Sequence, residues 1–118
     1  MDNKRKVGHY YELEAELYLS NLGYTMRDKN VFTPFGELDL IMQKDNIIFF
    51  IEVKYRSAQS IQTAREAIHL KKQKTLIKCA NHYLKFHQIG FLKYKIGFMG
   101  ITRDATTLEF DFIEDIFY

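Results

Sequence analysis

The sequence predicts an α/β domain on a mixed β-sheet, in the order α-β-β-β-α-β-β. Three observations carry this. A leading segment has apolar residues at helical spacing. A central block of β-branched and aromatic runs is broken by short turns. A second helical stretch then separates that block from two further strand-like segments.

The first helix is predicted from about Gly8 to Leu22. Leu13 and Leu17 lie four apart, Ala15, Tyr18 and Leu22 extend the apolar surface, and Gly23 supplies the stop. An extended piece from Tyr24 to Phe32 leads into the turn Thr33-Pro34-Phe35-Gly36, which carries the only proline. Glu37 to Met42 alternates, with Glu37, Asp39 and Ile41 on one side and Leu38, Leu40 and Met42 on the other. Asp45-Asn46 is a turn signal. Ile47 to Tyr55 begins with a continuous apolar run, which predicts a strand covered on both faces. Thr63-Ala64-Arg65-Glu66 has capping-box spacing. The helix it opens, or a second one starting near Leu70, buries Leu76, Ile77, Ala80, Tyr83 and Leu84, and Gly90 follows its end. The last two strands run from about Tyr94 to Thr102 and from Leu108 to Ile113, joined by a polar loop from Arg103 to Thr107.

At 118 residues, 47% hydrophobic and 15% aromatic, the chain suits one packed domain, residues 1–118, and not a disordered segment. Its longest apolar run, Ile47 to Ile51, falls far short of the roughly 20 residues that span a membrane, so no membrane partner is expected. A single cysteine, Cys79, leaves no internal disulfide and fits a reducing cytoplasm. The net charge of +2 diagnoses nothing alone, but Lys71, Lys72, Lys74 and Lys78 crowd one segment while Glu109, Asp111, Glu114 and Asp115 make the tail acidic. A basic stretch of this kind suits phosphate contact and suits a solvated helix face equally.

The second and third strands are the informative pair. A two-residue turn at Asp45-Asn46 sets Lys44 opposite Ile47, and the same register sets Asp39 opposite Glu52 and Glu37 opposite Lys54. Glu52 and Lys54 share one face, and Ile51, Val53 and Tyr55 the other, where Tyr55 is expected to pack. Carboxylates directly opposite have Cβ atoms about 5 Å apart and repel by about 3 kcal/mol at an effective dielectric near 20. Relief comes from a shared proton or from a divalent cation such as Mg²⁺. Lys54 then stands close enough to steady charge on a phosphate. The same residues also read as a Glu37–Lys54 surface ion pair with the acids splayed into solvent. Both readings are open at this point.

These blocks resemble the PD-(D/E)xK nuclease superfamily and, more closely, the YraN family of small bacterial proteins, which is similar to archaeal Holliday junction resolvases. The resemblance runs from Glu12-Leu13-Glu14-Ala15 through Gly23-Tyr24 and Lys29-Asn30. It is strongest at Gly36-Glu37-Leu38-Asp39-Leu40-Ile41 and Phe50-Ile51-Glu52-Val53-Lys54-Tyr55-Arg56-Ser57, and resumes at Glu66-Ala67-Ile68, Lys72-Gln73 and Ala80 to Leu84. It implies a restriction-endonuclease-like core and a Mg²⁺-dependent endonuclease (Mn²⁺ substituting) acting on DNA, branched or structured DNA included. It further implies Asp39 and Glu52 as metal ligands, the Val53 carbonyl as a third, Lys54 as the catalytic lysine and Glu12 near the metal. Glu37 completes the polar square. Lys72, Gln73, Lys74 and Arg56 are candidates for contact with nucleic acid. Junction substrates would call for two symmetric sites, hence a homodimer. One departure stands out: the resemblance leads one to expect Arg-Phe-Asp on the later strand, and this chain has Lys95-Ile96-Gly97-Phe98. The alternative function is a weakly active or inactive nucleic-acid-binding module on the same fold, and an RNA-directed nuclease would share the phosphodiester chemistry. His9, His69, His82 and His87 show no metal-ligand spacing and are expected at structural or surface positions, and Cys79 in the core.

Overall fold

A computed structural model describes residues 2–57, 70–90 and 93–117. Helix α1 (Asp2–Asn21) leads into a three-stranded antiparallel meander: β1 (Thr25–Thr33), β2 (Gly36–Lys44) and β3 (Ile47–Ser57). Helix α2 (Leu70–Phe86) precedes β4 (Lys93–Asp104), which pairs parallel to β3, and β5 (Thr107–Ile113) closes the sheet as an antiparallel partner of β4. The sheet order is β1-β2-β3-β4-β5, so the predicted element order and mixed sheet are both present. The proposed cap at Thr63–Glu66 lies outside the described residues. Among the described residues no helix is long and apolar enough to cross a membrane.

The two helices cover opposite faces. Tyr11, Ala15 and Leu19 of α1 pack on Leu40, Met42, Phe49, Ile51, Met99 and Ile101. Leu76, Cys79, Ala80 and Tyr83 of α2 pack on Leu38, Ile41, Ile48, Phe50 and Ile96. The apolar start of β3 is explained by this: Phe49 and Ile51 serve one helix, Ile48 and Phe50 the other.

The buried face of α1 differs from the expected one. Leu13 and Leu17 are 48% and 51% exposed, while Tyr11, Ala15 and Leu19, spaced by four, carry the contact. The small Ala15 at the centre lets the helix approach the sheet, and the two larger leucines lie half a turn away, on the opposite side of the helix. Gly23 does end the helix, at φ 98, with Tyr24 N–H donating to the Leu19 carbonyl at 3.0 Å and Gly23 N–H to that of Ser20 at 3.1 Å. This is a Schellman closure, and it drops Tyr24 onto Leu19 in the core.

Both later hairpins are tight. Asp45 and Asn46 take φ 53 and 64, the paired left-handed conformation of a two-residue turn matched to strand twist, and Lys44 pairs with Ile47. The expected polar loop Arg103–Thr107 is shorter than predicted, because Asp104 already pairs with Thr107 and Ala105 turns the chain at φ 56.

The assignment of the α1 core face is checked by paired truncations. Leu19→Ala is expected to cost about 2–5 kcal/mol in urea unfolding. Leu17→Ala should stay within about 0.5 kcal/mol.

Candidate active site

The β2–β3 ladder follows the predicted register from Lys44–Ile47 to Leu40–Ile51 and stops there. At the next position the Asp39 side chain takes over: its Oδ2 accepts the Val53 N–H at 2.9 Å. Side-chain alternation along β2 breaks at the same residue. Leu38 packs toward α2 while Leu40, two residues on, packs toward α1. β1 is irregular at the matching point, since Lys29–Leu40 and Val31–Leu38 are paired and Asn30 between them takes φ 53. Asparagine tolerates this left-handed conformation better than most residues. The Asp39 carboxylate is thereby turned toward β3.

Glu52 is the one buried charged residue of the described core, 5% exposed. Its Oε2 lies 3.3 Å from Lys72 Nζ of α2 and 3.8 Å from Lys54 Nζ, two residues along the same strand face. The charge of Glu52 acts on the Asp39 carboxylate. Burial, then the charge of Glu52, drive the Asp39 pKa up to about 7, opposed by the Val53 N–H and reinforced by Glu12 and Glu37. Glu12 is half-buried, and burial raises its pKa as well, with Glu37 adding to the rise and His9, Asn30 and Lys29 opposing it. Its Oε1 is enclosed and meets no hydrogen-bond donor at bonding distance, and the Asn30 Oδ1 is enclosed likewise. Glu37 is exposed on an open groove shared with Glu12, Asn30 and Phe32.

The expected square is therefore altered. Asp39, Glu52, Val53 and Lys54 are brought together, and Lys72 joins them. Glu37 does not pair with Lys54, because the ladder ends before either residue and Lys54 turns to Glu52 instead. Arg56 is half-buried with an enclosed Nε that finds no acceptor among the described residues, Gln73 is half-buried and Lys74 is exposed. Tyr55, expected to pack, is 36% exposed and stacks on Tyr11 at 3.9 Å between ring centroids. Tyr11 in turn receives the Arg103 Nε–H at 3.0 Å. In the later strand, Lys95 forms an ion pair with Glu114 at 2.9 Å, and Gly97 admits the β5 end, since a Cβ there would lie 2.9 Å from the Ile113 carbonyl oxygen.

The roles of two residues at the site are not legible in the sequence. Asn30 shapes the strand opposite Asp39, and its signal was an asparagine in mid-strand, where that residue is disfavoured. Lys72, a candidate phosphate contact by sequence, instead lies against Glu52. Its approach to Glu52 depends on where α2 docks, which no local spacing encodes.

Among the described residues no three His, Cys, Asp or Glu side chains gather closely enough to hold an ion by themselves. The cavity beside Glu52, lined by Lys54, Lys72, Leu76 and Phe98, is about 10 Å³, room for about one water. A small-molecule substrate would not fit there, so a ligand reaches these groups from the open surface.

The Asp39 shift has a measurable consequence. Its folded-state pKa of about 7 lies above the ordinary 3.8, so the folded protein holds this proton more tightly than the unfolded chain. The associated stability is present below the lower value and is lost as pH rises through the upper one. With chelator present, Tm is expected to fall across that window, and Asp39→Asn to remove much of the slope. Equal slopes in the two proteins would contradict the coupling.

Comparison with known proteins places the chain at family level. Residues 11–114 match the Uncharacterised protein family UPF0102. A UPF0102 protein of Pseudoalteromonas translucida is 34% identical over 115 residues, covering 98% of this chain and 93% of that protein. One from Brachyspira hyodysenteriae is 40% identical over 121 residues, covering 99% of each. One from Clostridium perfringens is 30% identical over 115 residues, covering 96% of this chain and 94% of that protein. The chain belongs to the UPF0102 family, the YraN-like family that its Gly36–Ile41 and Phe50–Ser57 segments resemble.

Proposed function

We propose that this chain is a Mg²⁺-dependent endonuclease of the PD-(D/E)xK type, hydrolysing phosphodiester bonds in DNA, with branched or structured DNA among its substrates. One observation carries the reading: a buried carboxylate, Glu52, and a half-buried one, Asp39, are close enough for the first to raise the pKa of the second, and Lys54 shares the face of Glu52. Paired acids of this kind destabilise a fold unless they serve a proton or a cation.

The donor set fits a hard cation. Asp39 and Glu52 would hold Mg²⁺, the Val53 carbonyl would be a third ligand, and waters or phosphate oxygens would complete the shell. When bound, the ion supplies Lewis acidity and a more acidic water. The protein's own groups do the rest. Val53 N–H holds the Asp39 carboxylate in one orientation. Lys54 Nζ offers positive charge where the phosphate becomes more negative. Lys72 Nζ adds a second ammonium beside Glu52. Glu12, with its enclosed Oε1, stands as a proton acceptor or outer ligand next to Asp39. A homodimer would present two such sites to a junction.

A second reading has its own support. Lys54 and Lys72 already neutralise Glu52, and no acid follows Lys95 before Phe98. Both features suit a nucleic-acid-binding module with little or no cleavage.

Linear, nicked and four-way-junction DNA, with a matched RNA, incubated with Mg²⁺ or Mn²⁺ separate these readings. Cleavage of DNA is expected, with Glu52→Ala and Lys54→Ala each lowering it by about 100-fold or more. Activity that survives either substitution would make the site assignment wrong. Tight binding that ignores Mg²⁺ and survives Asp39→Ala would select the module.

A further inference from the structure

We infer that the solvent face of α2 is a track for the phosphate backbone of a DNA duplex, leading up to the Asp39–Glu52 site. The inference deepens the nuclease reading by naming the duplex arm and where it lies. Only the placement of the scissile phosphate rests on that reading.

Helix α2 carries Lys71, Lys72, Lys74, Lys78 and Lys85 and no aspartate or glutamate. The chain as a whole is only +2, so everything outside this helix is net acidic. Four of these lysines fall on one stripe with His82: positions 71, 74, 78, 82 and 85 are spaced by three or four residues, directly away from the buried Leu76, Cys79, Ala80 and Tyr83. Over those residues the helix rises about 21 Å. Lys71, Lys74, Lys78 and Lys85 are exposed. None of them pairs with a carboxylate among the described residues, whereas Lys29, Lys54, Lys72 and Lys95 all do.

A solvated helix face ordinarily mixes signs, and like charges four apart, as at Lys74 and Lys78, weaken a helix. A polyanion relieves that repulsion. Duplex DNA offers one phosphate per strand every 3.4 Å of its axis, so the stripe spans about six base-pair steps. An aromatic ring accompanies the charges. Phe35, at the β1–β2 turn, is half-exposed, with Lys78 Nζ 5.9 Å from its ring centre and the His82 ring 6.2 Å away. The stripe also begins beside the site, since Lys71 adjoins Lys72, whose ammonium is 3.3 Å from Glu52. A duplex lying along α2 therefore runs off its first turn toward the two carboxylates.

The test is the salt dependence of binding to a fluorescein-labelled 30-base-pair duplex, between 50 and 200 mM salt, in EDTA so that nothing is cut. Lys78→Ala/Lys85→Ala is compared with the charge-matched Lys29→Ala/Lys93→Ala. Alanine is a good helix former, so the α2 variant should keep its fold, with circular dichroism as the check. Loss of two phosphate contacts is expected to reduce the slope of log K against log salt by about 2, with the control pair changing it little. Equal slopes for both pairs would overturn the proposal, as would stronger binding of polyglutamate than of duplex, which would assign the stripe to an acidic protein. A stripe-dependent slope in a protein that cuts no DNA upholds the track and sinks the nuclease reading alone. Cleavage that keeps its full salt sensitivity in the α2 variant sinks the track alone.

Discussion

The hydrogen bond from Val53 N–H to Asp39 Oδ2 is the interaction on which the site depends. A backbone donor in a strand ordinarily meets a carbonyl of the neighbouring strand. Here a carboxylate takes that place, and the β2–β3 ladder ends. β3 continues to Ser57 with β4 as its partner, so its edge beyond Ile51 is released from β2. The opening between two central strands is where both acids meet. Without the side-chain acceptor, a part-buried N–H would lose its partner, at a cost of up to about 1 kcal/mol.

Electrostatics and packing then pull against each other. α2 fixes Leu76 against the sheet and brings Lys72 over Glu52, which makes burial of that carboxylate tolerable. Asp39 has no ammonium within ion-pair distance among the described residues, and its pKa rises instead. One acid of the pair is therefore compensated and the other is left to take a proton or a cation. That asymmetry is what a cation-binding site would exploit and what an ordinary salt-bridged surface lacks.

Much of this was legible in the sequence because the hairpin geometry is local. A two-residue turn at Asp45-Asn46 determines which residues face each other, and alternation determines the shared face of Glu52 and Lys54. Local rules failed where a residue's role is set by something distant. Leu13 and Leu17 looked like the inner face of α1 because helical periodicity cannot say which of two apolar stripes meets a sheet. Tyr11, Ala15 and Leu19 meet the sheet, and Leu13 and Leu17 lie half-exposed on the opposite side of the helix. Glu37 does not face Lys54 because the ladder stops before Asp39, short of both residues.

The sequence by itself determined the order of the elements, the mixed sheet and the hairpin register as far as Leu40–Ile51, all of which follow from short-range patterning and turn chemistry. Only the tertiary structure decided that the strands part at Asp39, that Asn30 bends opposite it, and that Lys72 reaches Glu52. The physical reason is separation along the chain. Asn30, Asp39, Glu52 and Lys72 lie on four different elements, the first three aligned by strand pairing and the fourth brought in by the docking of α2 on one face of the sheet.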